Sequence, residues 1–250
     1  MVAKYRLVLS QPGTARLFAT ALLGRLPQGM SSLAILLLVR GTTHSYAAAG
    51  VAVGAYALAT AASAPLQGRL VDRLGRTRVL PPCSILQGLT LGLLVLATRG
   101  DAGAPVLIVI AAVAGAFMPP LAPAVRALLR EVLEDPDLRE TAYSLESVIQ
   151  ELIWITGPLL VAIVIAFVSP AAAVLLLAVI GIVGTILFVR TPLAGDRGGR
   201  RAGHERTPVL SIPEMRVLLA PIALMGIALG TIEVGLPSLA LHAGSRPASG

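Results

Sequence analysis

Long apolar runs joined by short polar links constrain this chain more than any other feature. A helix needs about 20 apolar residues to cross the hydrocarbon of a bilayer. Helices suit such runs because they satisfy every backbone hydrogen bond internally. The runs cover residues 17–39, 46–67, 79–97, 105–129, 142–168, 171–189 and 215–241. The sequence therefore predicts an all-α fold, a polytopic transmembrane helical bundle of about seven spans.

The composition supports a membrane protein over a soluble one. The chain has 250 residues, of which 56% are hydrophobic and only 13% are charged. A soluble domain of this size needs a more highly charged surface. The net charge of +7 would suit nucleic acid, but the basic residues lie in short links between apolar runs, where membrane topology explains them better. We expect a lipid bilayer as partner and no nucleic acid.

Lys and Arg are distributed unevenly among the links. They concentrate in alternate ones, at 1–16, 68–78, 126–141 and 190–214. Because loops rich in Lys and Arg stay on the cytoplasmic side, this bias predicts a multi-pass protein of the cell membrane with a cytoplasmic amino terminus.

Five segments follow from these patterns. We expect a cytoplasmic amphipathic lead, a six-helix transmembrane unit, a basic cytoplasmic linker, a seventh transmembrane helix and a polar tail. They cover residues 1–16, 17–189, 190–214, 215–241 and 242–250, respectively.

The link between the second and third runs carries the most specific motif. It reads Gly-Arg-Leu-Val-Asp-Arg-Leu-Gly-Arg-Thr-Arg at 68–78. This order of glycines, acid and bases resembles the signature loop between helices 2 and 3 of the major facilitator superfamily. The resemblance implies a gating role, because in that family the loop closes the inner gate against the second half of the transporter. The implicated residues are Gly68, Asp72, Arg73, Gly75, Arg76 and Arg78.

The resemblance extends over nearly the whole chain. It implies the six-helix amino-terminal half of a facilitator transporter, followed by the first helix of the second half. In such transporters the substrate binds between two halves that rock in alternating access. We therefore expect a secondary active transporter of a small organic solute, acting as an exporter. Helices 8 to 12 do not follow in this sequence, so we expect an incomplete chain. The alternative is a non-transporting truncated membrane protein, or a component that acts only with a second half-transporter chain.

Prolines interrupt the fourth run. Pro119, Pro120 and Pro123 fall within five positions, which a regular helix does not tolerate. The sequence predicts a kinked or open span at this point, of the kind that lines cavities in transporters.

Charged side chains inside the runs are the candidate site residues, because a charge near mid-bilayer costs roughly 2.5–3.5 kcal/mol on insertion scales. Arg25 lies about nine residues past Arg16, roughly 13 Å into the first span. Glu151 has a similar depth in the fifth run, so we predict an Arg25–Glu151 pair. Glu146 is expected nearer the surface, in a structural pair with the signature-loop arginines or reaching water. The substrate or coupling candidates are Arg25, Gln28, Gln150, Glu151 and Glu233.

An enzyme is disfavoured. The histidines, His44, His204 and His242, lie in links or at run ends and do not share a helix turn. No metal-ligand spacing and no nucleotide-binding glycine loop occurs. We expect no catalytic residues, no metal and no cofactor, and a small molecule as the substrate to be moved.

Overall fold

The computed structural model describes residues 2–195 together with Pro221, Leu224, Met225 and Gly226. Apart from these four positions, the predicted seventh span at 215–241, which includes Glu233, lies outside the described residues. Most of the predicted linker and the whole polar tail lie outside them as well.

The described chain is a succession of helices without a strand. Their order is α1 Val2–Ser10, α2 Thr14–Thr43, α3 Tyr46–Leu74, α4 Arg76–Arg99, α5 Ala104–Ala116, α6 Leu121–Val132, α7 Pro136–Phe167 and α8 Pro170–Val189, followed by a 3-10 turn at Pro192–Ala194. Side chains cap the amino termini of several helices. Ser45 accepts from the Ala48 amide at the start of α3, and Ser169 accepts from the Ala172 amide at the start of α8.

Six helical segments of the described chain are long and apolar enough to cross a membrane. They are α2, α3, α4, the α5–α6 pair, α7 and α8. The prediction of an all-α polytopic bundle is confirmed. The helices are longer than the apolar runs, because helical geometry continues through the polar residues at their ends. The polar link at 126–141, for example, lies largely within α6 and α7.

The motif at 68–78 is mostly helical, whereas the sequence predicted a loop. Helix α3 runs to Leu74 and α4 begins at Arg76, so Gly75 alone separates them. Gly75 has φ 90° and ψ 151°, a conformation that is essentially restricted to glycine. A single glycine reverses the chain here, so the remaining motif residues belong to helix ends.

Helix α2 is the centre of the bundle. It packs most extensively against α8, then against α7 and α3. Glycines allow these close approaches: Gly24 faces the backbone of Gly184 in α8, and Gly29 faces Gly157 and Ile153 in α7. Small residues at such crossings bring helix backbones into direct van der Waals contact, which is how helices associate in lipid.

The fourth span is broken, as its prolines predicted. Helix α5 ends at Ala116 and α6 begins at Leu121. The carbonyls freed at the break need donors, because lipid offers none. Helix α3 supplies side-chain donors: Thr60 Oγ1 donates to the Gly115 carbonyl at 3.0 Å, beside the Met118 amide, and Gln67 Nε2 donates to the Ala116 carbonyl at 2.6 Å.

Helix α1, within the predicted amphipathic lead, packs onto one end of the bundle. Val8 is fully buried in a large apolar cluster that joins α1, α2, α4, α6, α7, α8 and the 3-10 turn. The largest members of this cluster are Leu17, Phe18, Leu80, Leu121, Leu128, Leu129 and Phe188.

The glycine contact between α2 and α8 generates a stability prediction. In Gly184→Ala the new methyl group would overlap the backbone of Gly24, so we expect a loss of about 1–3 kcal/mol. Gly92→Ala is the matched control, since open space faces Gly92 in α4 and alanine favours helix by about 1 kcal/mol. Thermal unfolding of both variants in detergent measures the difference. Equal melting temperatures would contradict the close α2–α8 packing.

The hydrogen bonds from α3 to the break between α5 and α6 generate a second prediction. Thr60→Val removes the side-chain donor to the Gly115 carbonyl, which still accepts from the Met118 amide at 3.0 Å, so we expect a loss of about 0.5–1.5 kcal/mol. Thr90→Val is the control, because the Thr90 hydroxyl donates to the Leu86 carbonyl of its own helix. Thermal unfolding in the same detergent compares them. If Thr90→Val proves as destabilising as Thr60→Val, the inter-helix bond is not what stabilises the break.

Candidate functional site

A buried ion pair joins α2 to α7 within the spanning region. Arg25 Nη1 lies 2.9 Å from Glu146 Oε1, and the two side chains are only 2% and 1% exposed. Helix α2 places Arg25 one residue from the glycine crossing with α8, and α7 presents Glu146 toward α2. A charge at this depth is stable only with a partner, because each unpaired ion would carry the full desolvation cost.

Two further polar side chains complete this group. Arg126 of α6 contacts Glu146 Oε2 through both Nε and Nη2, at 2.8 Å each. Arg25 Nη2 donates to Gln150 Oε1. Gln150 lies four residues after Glu146, so both project from one face of α7. We call Arg25, Arg126, Glu146 and Gln150 the Arg25 cluster.

The predicted Arg25–Glu151 pair is wrong, because Arg25 pairs with Glu146 instead. The physical reason is the helical period: Glu151 lies about 100° around α7 from Gln150, and its side chain is exposed. The predicted partners of Glu146 are also corrected. Its arginines come from α2 and α6 and not from the signature motif.

The remaining predicted residues lie outside this cluster. Gln28 is half-buried on α2, about one turn from Arg25, and the cluster's hydrogen bonds in the described chain do not include it. Glu233 lies outside the described residues. The structure therefore brings together Arg25, Gln150 and Glu146 from the predicted set, and adds Arg126, which the sequence analysis had assigned to a link.

The signature motif forms a second ionic contact. Arg76, at the start of α4, is largely buried and lies 2.5 Å from Glu131 Oε2 near the end of α6. Gly75 provides the turn that positions it. Arg73 and Arg78 are exposed, and Gly68 lies within α3 facing open space. The motif thus ties the α3–α4 turn to the half-helix that carries Arg126.

A buried uncharged network lies beside the broken span. Tyr56 Oη is 3.1 Å from Ser31 Oγ and accepts from Gln87 Nε2 at 3.0 Å. Met118, in the break itself, lies 3.0 Å from Gln87 Nε2. The sequence analysis missed this network, although a glutamine and a tyrosine inside apolar runs were the available signal. This network of hydrogen bonds links α2, α3 and α4 to the break between α5 and α6.

Among the residues that the structure describes, no three His, Cys, Asp or Glu side chains lie close enough together to hold a metal ion.

In the described part of the chain, six apolar segments of spanning length, one of them broken, enclose a buried ion pair, as is typical of a polytopic membrane protein. The family model of the Major Facilitator Superfamily matches residues 17–249. The chain belongs to this superfamily, and membership makes it a membrane transport protein. Neither the curated proteins nor the solved structures contain a match to the chain.

The corrected pairing generates a prediction at the two glutamates of α7. Glu146→Gln removes the carboxylate from between two guanidinium groups and leaves Arg25 charged and buried, so we expect a loss of up to about 3–5 kcal/mol. Glu151→Gln, at an exposed position of the same helix, should change stability by less than about 0.5 kcal/mol. Purified yield and melting temperature in detergent check both. A larger loss in Glu151→Gln would favour the pairing that the sequence alone suggested.

Proposed function

We propose that the chain is a secondary active transporter that exports a small organic solute by alternating access. The buried Arg25–Glu146 pair is the observation that carries the proposal. Polar and ionisable residues inside membrane spans are costly and typically mark substrate or ion pathways. Membership of the family supports transport, and the Arg25–Glu146 pair is a candidate substrate site within the six-helix unit.

The geometry favours a movable bundle. The Arg25 cluster connects α2, α6 and α7, and the break between α5 and α6 allows α6 to move separately from α5. All four side chains belong to one half, so rocking of that half would change what faces the cluster, and movement of α6 between discrete arrangements would change the contacts within it. We propose that the turn at Gly75 and the Arg76–Glu131 contact hold α6 in one of these arrangements.

We place the protein in the cell membrane with its amino terminus in the cytoplasm. The support is the concentration of Lys and Arg in alternate links, which orients helical membrane proteins. A complete translocation path in this fold needs a second six-helix wall opposite α2. We propose that a second half-transporter chain provides this wall.

A second candidate function is a membrane component that works only with such a partner chain. The exposed face of α7 favours it. Glu151 is exposed there in the middle of a spanning helix, beside Trp154, which is 43% exposed. An ionisable side chain in this position is more stable against water or a polar partner than against lipid.

Efflux from intact cells tests the transport proposal. Cells that lack their main exporters would be loaded with fluorescein or ethidium, and loss of fluorescence would be followed with and without expression of the chain. We expect faster efflux of at least one dye with the chain present. Glu146→Gln should abolish this gain, while Glu140→Gln, at an exposed position in the first turns of α7, should retain it. Equal rates with and without the chain would count against transport.

Reconstitution separates the two candidate functions. The purified chain would be reconstituted into liposomes and assayed for efflux, first alone and then together with any half-transporter chain that binds it in a pull-down. Efflux by the chain alone would overturn the partner-dependent function. Efflux that requires the partner would support it.

A further inference from the structure

The Arg25 cluster has more hydrogen-bond donors than acceptors. Arg25 Nε and Gln150 Nε2 are buried and have no hydrogen-bond partner among the described residues. Arg25 is only 2% exposed, so an unpaired N–H there costs free energy comparable to a lost hydrogen bond. Both unpaired atoms are donors, and a ligand that accepts hydrogen bonds would satisfy them.

The cluster also has an excess of positive charge. Arg25 and Arg126 share the single carboxylate of Glu146, which leaves one positive charge among the four side chains. Arg126 is 59% exposed. It directs Nε and Nη2 toward Glu146, and Nη1 takes no part in this contact.

A planar guanidinium matches an oxyanion better than any other ligand. Its N–H groups form paired, charge-assisted hydrogen bonds with the oxygens of carboxylate or phosphate. In the low dielectric of a bundle interior, an added anion would also neutralise the excess charge. Donor excess and charge excess are independent observations, and both indicate the same class of ligand.

We propose that the Arg25 cluster binds the oxyanion group, a carboxylate or phosphate, of the solute that the protein transports. This inference rests on the proposed transport function and specifies its substrate class. The exposed edge of Arg126 makes the first contact with the anion. The Gln150 amide and Arg25 Nε provide further donors when the side chains rearrange around it. Glu146 keeps the two arginines in place and disfavours fully deprotonated multivalent anions by repulsion.

Ligand-induced stabilisation of the purified full chain tests the site. The chain in lipid-free maltoside detergent would be titrated with sodium benzoate, and separately with sodium phosphate, against sodium chloride at equal ionic strength. A ligand of the folded state raises the melting temperature. We expect benzoate or phosphate to raise it beyond the chloride control in the unmodified chain.

Variants on the same helix provide the matched comparison. Arg126→Gln should weaken the apparent affinity for benzoate by about tenfold or more, equivalent to about 1.4 kcal/mol. Arg130→Gln, one turn further along α6 and exposed, should bind as the unmodified chain does. Equal affinities in the two variants would overturn the inference.

Gln150→Glu provides a test that does not weaken the Arg25 cluster. The new carboxylate can pair with Arg25 and cancels the excess charge, so the variant should remain folded while its response to benzoate is lost. An unchanged benzoate response in this variant would also overturn the inference.

A lipid phosphate has the same oxyanion chemistry as a soluble solute. Phosphatidylglycerol would therefore be added to the detergent in place of benzoate. Stabilisation by the lipid alone, abolished by Arg126→Gln, would assign the cluster to a headgroup and overturn the substrate assignment. Benzoate binding without efflux of any dye would reject the transport proposal and retain the oxyanion site. Efflux of ethidium without benzoate binding would retain the transport proposal and reject the oxyanion site.

Discussion

The ion pair between Arg25 and Glu146 is the interaction on which the rest of this bundle depends. It places two charges, each almost fully buried, between helices that both cross the apolar region. Separating such a pair leaves an uncompensated charge in a low-dielectric interior, which costs more than most single contacts in a protein. Helices α2 and α7 are therefore held in one register wherever the pair is intact. Arg126 extends the constraint to α6.

Close glycine packing makes this interaction geometrically possible. Gly29 contacts the α7 backbone near Ile153 and Gly157, and Gly24 contacts the α8 backbone at Gly184. With larger side chains at these crossings, the helix axes would separate and the 2.9 Å contact of Arg25 with Glu146 would lengthen. Helix packing and charge pairing thus support each other. Dispersion contacts between backbones provide the closeness, and the ion pair selects the rotation of α7 about its axis.

The broken fourth span connects this rigid centre to the signature motif. Its freed carbonyls accept hydrogen bonds from Thr60 and Gln67 of α3, and its second half carries both Arg126 and Glu131. Glu131 contacts Arg76 beside the Gly75 turn. One short half-helix therefore receives contacts from the motif at one side and from the Arg25 cluster at the other. The signature motif and the buried cluster are therefore both in direct contact with the same short helix.

The sequence by itself determined the class of fold, because spanning length and apolarity follow from chain composition over about 20 residues. It also determined the break at Pro119 and Pro120, since proline acts locally on helix geometry, and the family, through the spacing of Gly68, Asp72 and Gly75. Tertiary structure alone decided which carboxylate meets Arg25. Glu146 and Glu151 are both within reach by depth, but they project from α7 in different directions, and only the packing of α7 against α2 decides which of them faces Arg25. Tertiary structure also decided that Arg126 joins the Arg25 cluster and that Ser31, Tyr56 and Gln87 form a network, because each requires side chains from separate helices to meet.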